Sequence, residues 1–256
     1  MARTRKRRAP GERAGLLRDA VLAAAREALP RHKAMLAGTG HDSTQLTIRQ
    51  TRRAAEIGAD VAVAITPHYF TGRFGQPAAQ VRHYLAVAEA SPIPVMIYHQ
   101  PANTGIELEP EAVARIAEHP NVCGIVDASG HIPQLAQYVQ LTPKSFHVLV
   151  GGVAALLPGL SIGASGGVLA LAAIAARECC EVQALARAGR WEEAKELAAR
   201  MMLADRGVSG RHGIGGLKAA LDLQGLYGGP CRPPLATLDG DAIEDIREIL
   251  ASAGLF

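Results

Sequence analysis

The sequence predicts a parallel α/β barrel of the (β/α)8 type, with six recognisable strands and a helical C-terminal region. Three observations carry that expectation. From residue 11 onward, segments of helical period alternate with short runs rich in valine, isoleucine and alanine. Those runs are apolar on both faces, the mark of strands in a parallel sheet covered by helices. Finally, Gly38-Thr39-Gly40 is followed by His41-Asp42-Ser43 and supplies no third glycine, so the phosphate-binding turn of a doubly wound sheet is absent. A barrel is favoured over that open sheet although six strands are counted rather than eight.

Taken in order, residues 11–30 read as an Ala/Leu/Arg helix stopped before Pro30. Residues 34–37 form a strand leading into Gly38-Thr39-Gly40. Ser43-Thr44 caps a helix that Gly58 ends, and residues 61–65 are a strand broken by Pro67. A helix over 80–90 precedes a strand over 95–98, which Pro101 ends. A helix over 109–118 stops at Pro120, and a strand follows at 122–126. Then come a helix at 132–140, a strand at 147–150, a helix at 154–162 and a last strand at 167–171. Only helices are expected beyond, near 176–188, 191–203, 214–224 and 240–252. The chain thus divides into a basic, disordered leader (1–10), the barrel (11–175) and a C-terminal helical region of the same domain (176–256).

Composition narrows the function classes. The 256 residues are 48 % hydrophobic and 20 % charged, and a chain of this size buries a substantial core. The longest apolar stretch, residues 166–176, is too short to span a bilayer, so no membrane partner is expected. The net charge of +3 conceals an asymmetry. Residues 1–33 carry ten Lys or Arg against three acids, whereas the remainder carries seventeen against twenty-one. The leader reads as a solvated charge run rather than a nucleic-acid arm, since no aromatic is interleaved with the charges and no second basic patch follows. Cys123, Cys179, Cys180 and Cys231 form no CxxC and read as reduced thiols of a cytoplasmic protein.

In parallel barrels the working groups stand at the C-terminal ends of strands. Those ends present His41 and Asp42, His68 and Tyr69, Tyr98 and His99, Val126 and Asp127, and Gly151-Gly152. Tyr98, just ahead of Pro101, is either a proton relay facing a cleft or a core tyrosine with a satisfied hydroxyl. The histidines and aspartates have the donor chemistry of a metal site. Alternation along a strand argues against it, because a Tyr98 that faces inward turns His99 away, and Tyr69 opposes His68 likewise. No metal and no cofactor are expected.

Four motifs arrive in one order: Ala37-Gly38-Thr39-Gly40, Thr66-Pro67-His68-Tyr69-Phe70, Ile97-Tyr98-His99-Gln100-Pro101-Ala102-Asn103-Thr104-Gly105, and Gly124-Ile125-Val126-Asp127-Ala128-Ser129-Gly130. They resemble the successive signatures of the dihydrodipicolinate synthase / N-acetylneuraminate lyase family. The Pro-Ala-Asn-Thr-Gly version, His119-Pro120-Asn121-Val122, Gly213-Ile214-Gly215-Gly216-Leu217-Lys218 and Gly228-Gly229-Pro230-Cys231-Arg232 are similar to its 4-hydroxy-2-oxoglutarate aldolase branch. The resemblance runs from about residue 11 to the C-terminus. It implies a class I aldolase in which a strand lysine forms an imine with pyruvate, glyoxylate, 4-hydroxy-2-oxoglutarate or a similar 2-keto acid. It makes Tyr98 the proton-relay tyrosine and Tyr69 the second tyrosine. It makes Asn103, Thr104 and Gly105 the substrate-side loop, and Val168 a backbone neighbour of the keto acid. A homo-oligomer is implied as well.

Two departures qualify that picture. Val126 stands where the resemblance places the imine-forming lysine, and valine has no nucleophilic atom. Measured against the family pattern, the first strand, first helix and second strand, with their Gly-Thr-Thr-Gly-Glu loop, are missing, and the basic leader stands in their place. The expectation is a lyase-family protein whose standard imine chemistry is lost. Two alternatives remain open: a keto-acid-binding or partner-subunit pseudoenzyme, and a lyase that works without the imine.

Overall fold

The computed structural model describes residues 10–256. Apart from Pro10, the basic leader lies outside the described residues. By compactness these residues fall into two units. One runs to Ile125 and includes Leu141–Phe146; the other is Val126–Gln140 with His147–Phe256.

Six strands occur among the described residues, β1 (Leu36–Gly38), β2 (Val61–Ile65), β3 (Val95–His99), β4 (Val122–Asp127), β5 (His147–Val150) and β6 (Gly166–Gly167). They lie in one sheet in chain order, β1 to β6. The arrangement is a six-stranded parallel part of a barrel, carried by crossover helices. The helices are α1 (Pro10–Ala28), α2 (Thr44–Ile57), α3 (Thr71–Phe74), α4 (Pro77–Ala90), α5 (Pro101–Thr104) and α6 (Pro110–Ala117). They continue with α7 (Ile132–Leu141), α8 (Leu156–Ser161), α9 (Ala176–Arg187), α10 (Trp191–Asp205), α11 (Arg211–Leu223) and α12 (Gly240–Ala253).

In the first unit, β1 pairs parallel with β2 (Leu36 opposite Val61) and β2 with β3 (Ile65 opposite Tyr98). Local chemistry sets the helix limits. Ser43 caps α2 by accepting the Leu46 N–H, and Gly58 ends it at φ 101°, in the left-handed region that costs glycine least. Pro77 and Pro110 open α4 and α6, where a missing N–H is harmless. Ala62, Ala64, Val95, Ile97, Val113 and Ile116 are buried between the strands and their crossover helices. Met35, Ala37, Ala54 and Ala59 make a second cluster, against which Leu22 of α1 packs.

In the second unit, β5 pairs parallel with β6 (Leu149 opposite Gly166). Four long helices follow, and their facing residues Val182, Leu197, Met201, Ile246 and Leu250 are all buried. A π-helical turn, Arg206–Gly210, joins α10 to α11. Asp239 caps α12 by accepting the Ala242 N–H at 2.9 Å.

The structure departs from the sequence expectations in three places. The last strand was expected over 167–171, but pairing involves only Gly166–Gly167, and Ala170–Ala173 coils into a 3-10 turn. Its partner β5 ends at Val150, so no ladder acceptors remain beyond the bond from Val168 N–H to Val150 O (2.9 Å). The helix expected over 154–162 is split into a 3-10 turn, Val153–Ala155, and α8. The turn expected as the substrate-side loop contains the four-residue helix α5, and α3 falls on a stretch to which the sequence assigns no element.

Candidate functional site

In the first unit the strand ends carry an ordered set of polar groups. Tyr98 is half-buried near the end of β3, and burial pushes its phenol above the ordinary tyrosine range, which keeps it protonated. His99, the next residue, is fully buried, with Nε2 3.4 Å from the Glu107 carboxylate. Alternation thus separates the two rings, as the sequence implied. The chain then turns through α5. Gly105 closes the turn at φ 64°, its N–H bonding Pro101 O at 2.8 Å. Thr104 is buried and donates its hydroxyl to Gln100 O at 3.0 Å, so this side chain fixes the turn, while Asn103 stays exposed.

Tyr69 follows β2, and its ring is 76 % exposed, in edge contact with Phe70. Asp42 shapes its loop, because Oδ1 accepts the N–H of His68 at 2.8 Å and of Tyr69 at 3.0 Å. Burial alone would raise the Asp42 carboxyl, but those two N–H groups, with the neighbouring imidazoles of His68 and His41, outweigh it and hold the group below its usual range. The Asp42 loop lies close to β2: a Cβ on Gly40 would stand 2.5 Å from Ile65 N, which explains the second glycine of Gly38-Thr39-Gly40. Thr66, one residue past β2, is fully buried, and its Oγ1 has no hydrogen bond among the described residues. Sequence reasoning passed over that hydroxyl. Its one signal was its place in Thr66-Pro67-His68-Tyr69-Phe70, two residues ahead of the pair singled out.

In the second unit, Val126 is fully buried on β4 and Asp127 nearly so. The Asp127 carboxylate accepts Ser129 Oγ at 2.9 Å and Ser129 N–H at 3.2 Å, while Ser129 Oγ accepts His131 N–H at 3.0 Å. Gly151 donates its N–H to Asp127 O at 2.7 Å, and a Cβ there would stand 2.4 Å from the Ala128 side chain. The motifs around residues 127–131 and 151–152 are therefore parts of one packed strand-end turn. Val168 lies one residue past β6, 38 % exposed.

No described strand contains a lysine. Lys33 and Lys144 are exposed, and Lys195 pairs with Glu192 at 3.7 Å. The Lys218 ammonium bonds Gly228 O, and Asp222 Oδ1 accepts Gly228 N–H at 2.8 Å. Lys218 thus ties the glycine-rich segment after α11 back onto that helix. Among the described residues, no group of three or more His, Cys, Asp or Glu side chains is placed to hold a metal ion. Nor is any described helix long and apolar enough to cross a membrane.

Parallel strands with crossover helices and polar groups at the strand ends define a barrel-type scaffold of the kind that carries its chemistry at the strand ends. Residues 17–253 match the dihydrodipicolinate synthetase family, and the chain belongs to it. A 4-hydroxy-tetrahydrodipicolinate synthase from Methanothrix thermoacetophila is 36 % identical over 219 residues, which is 84 % of this chain and 72 % of that protein. The fold is similar to dihydrodipicolinate synthase from Cyanidioschyzon merolae, solved with lysine bound (TM-score 0.88, 29 % identity, 96 % of this chain and 84 % of that one). It is also similar to the chloride-inhibited enzyme from Acinetobacter baumannii complexed with pyruvate (TM-score 0.84, 29 % identity, 96 % and 82 %).

Proposed function

We propose that this chain binds a small 2-keto acid at its strand ends and has lost the imine-forming aldolase chemistry that the family resemblance implies. The observation that carries the proposal is Val126, a fully buried aliphatic residue on β4 where the resemblance places the reactive lysine. Carbon–carbon cleavage beside a ketone needs an electron sink, which an iminium supplies far better than the carbonyl it replaces. Without an amine there, no iminium forms. Tyr98, a half-buried phenol that stays protonated at neutral pH, remains available to donate a hydrogen bond to the keto acid, with Asn103 and Gly105 on the adjoining turn of the same unit. Pyruvate, glyoxylate and 4-hydroxy-2-oxoglutarate are the ligand class. The Pro-Ala-Asn-Thr-Gly turn and Gly228-Gly229-Pro230-Cys231-Arg232 favour the 4-hydroxy-2-oxoglutarate branch.

A second copy of the chain is part of this reading. At 76 % exposure Tyr69 is too wet to relay protons, and a covering subunit would dry it. Four cysteines without a disulfide support a cytoplasmic location.

The test is reductive trapping. Incubation with pyruvate and borohydride, followed by mass spectrometry, should leave the protein without an adduct, since reduction traps only a C=N bond. Exposed lysines are protonated near neutral pH, with a reference pKa of about 10.4, and react poorly. Saturation transfer to the pyruvate methyl group should still report binding, weakened by Tyr98→Phe. Val126→Lys should restore at most a weak adduct, because the sequence holds no Gly-Thr-Thr-Gly-Glu to seat the carboxylate. A stoichiometric adduct on the unmodified chain, mapped to one lysine, would overturn the proposal.

A further inference from the structure

The C-terminal helices of the second unit enclose a cleft of about 750 Å³ that none of the strand-end residues lines. Its walls are α10, the π-helical turn, the start of α11 and α12. That volume lies within the range of small-molecule sites. Three arginines line it, Arg200, Arg206 and Arg211.

Their states differ. Arg211 is committed to Asp245, with Nη1 at 3.0 and 2.8 Å from the two carboxylate oxygens, and His212 Nε2 reaches the same carboxylate at 2.8 Å. Asp245 is thereby neutralised within the wall. Arg200 and Arg206 are exposed; Arg200 acts through space on the Glu178 carboxylate, and neither makes a direct ion pair or a side-chain hydrogen bond among the described residues. Glu248 is the other carboxylate of the lining. The lining balance is three guanidiniums against two carboxylates, with two of the guanidiniums in no direct contact with a carboxylate.

The π-helical turn explains why the arginines share a wall. In an α-helix, residues five apart point about 140° away from each other. Bonding from i to i+5 stacks them instead, so Arg206 and Arg211 both reach the cleft. Such turns are rare and cost stability relative to a continuous α-helix, and they are frequent at functional sites. This one is braced. Ser209 Oγ donates to Asp205 O at 2.9 Å, and Gly207 lies so close to α12 that a Cβ would stand 2.7 Å from Ile249 Cδ1. Leu203, 69 % exposed, and Ile249 give the same cleft an apolar side.

We propose that this cleft is a binding site for a small phosphate monoester, with the phosphate held by the Arg200 and Arg206 guanidiniums and the organic body laid against Leu203 and Ile249. A dianionic tetrahedral group offers each planar fork a pair of oxygens. The partly apolar wall distinguishes an ester from free phosphate.

The test follows the arginine side-chain Nε–H resonances of the full chain by NMR at constant ionic strength, with adenosine monophosphate, inorganic phosphate and citrate as probes. Adenosine monophosphate should shift Arg200 and Arg206 saturably and bind more tightly than phosphate or citrate. Removing both guanidiniums (Arg200→Ala with Arg206→Ala) should weaken binding by at least about tenfold, the scale of one or two charge-assisted bonds. Ser252→Trp, which adds bulk at an exposed cleft residue and leaves the charges intact, should abolish it. Lys195→Ala, the same loss of charge outside the cleft, should leave it unchanged. Equal affinity for citrate, undiminished binding in the double variant or in Ser252→Trp, or no saturation by about 10 mM would each overturn the proposal.

Discussion

His83 is 4 % exposed, with its ring edge-on to Phe74 and Tyr84 and its Nδ1 2.9 Å from Thr44 Oγ1. Burial pushes its imidazole down to about 4, from an ordinary value of 6.5. A histidine whose folded pKa lies below its unfolded one favours the fold while neutral. That contribution is complete above about 6.5 and is lost as the pH falls through the interval to about 4. By pH 4.5 the loss should be roughly 2 kcal/mol. Urea unfolding at pH 7 and 4.5 should therefore show His83→Gln losing less stability on acidification than the unmodified chain; equal losses would rule the assignment out. Residues of this kind mark the limit of what the sequence discloses. Val126 draws notice only because the family resemblance places a reactive lysine there, and valine carries no nucleophilic atom. Thr44 and His83, or Asp42 and the N–H groups of His68 and Tyr69, lie 39, 26 and 27 positions apart, and no local pattern announces their meeting.

Among the elements, the 228–232 motif gains a physical account. Gly228 lies against α11 so closely that a Cβ would stand 1.8 Å from Lys218 O, while Asp222 and Lys218 bind its N–H and C=O. Gly228→Ala must push the segment off the helix and break both bonds, at a cost of about 2–3 kcal/mol. Gly240→Ala, whose Cβ would meet nothing within 4 Å, should change stability by no more than about 0.5 kcal/mol. Chemical denaturation of the two variants separates the accounts, and equal, small effects would remove the tie as an explanation of the motif. The same scale shows why strands were easier to read than their ends. β2 and β3 are apolar on both faces and stopped by Pro67 and Pro101, so composition and punctuation agree. The run after Gly166 is equally apolar, and Leu171 is fully buried, yet it coils because β5 offers no further partner. Apolarity reports burial; conformation there depends on the length of a neighbour.

At the scale of the whole molecule, the strand order among the described residues ends at β1 and β6, each with a sheet neighbour there on one side only. An edge strand presents unpaired N–H and C=O groups that a second chain can extend. The two edges are unequal. β6 is two glycines with no side chain to bury, whereas β1 carries Leu36, 38 % exposed. On the same unit, α1 exposes Leu16, Leu17 and Val21 at 47, 44 and 60 %. Exposed apolar side chains on the unit that carries an open edge favour association. The chain should accordingly self-associate, with light scattering giving a mass well above the 26.9 kDa of one copy. Leu36→Lys places a charge on the edge without touching the buried face of β1, where Ala37 lies, and charge is how natural edge strands are protected. That variant should shift the distribution toward the single chain while retaining the helical circular dichroism of the fold. Association that persists in Leu36→Lys would move the interface elsewhere, with Tyr69 and Phe70 the exposed aromatic pair to examine next. A monodisperse single chain before any substitution would remove both the edge argument and the proposed covering of Tyr69 by a second copy.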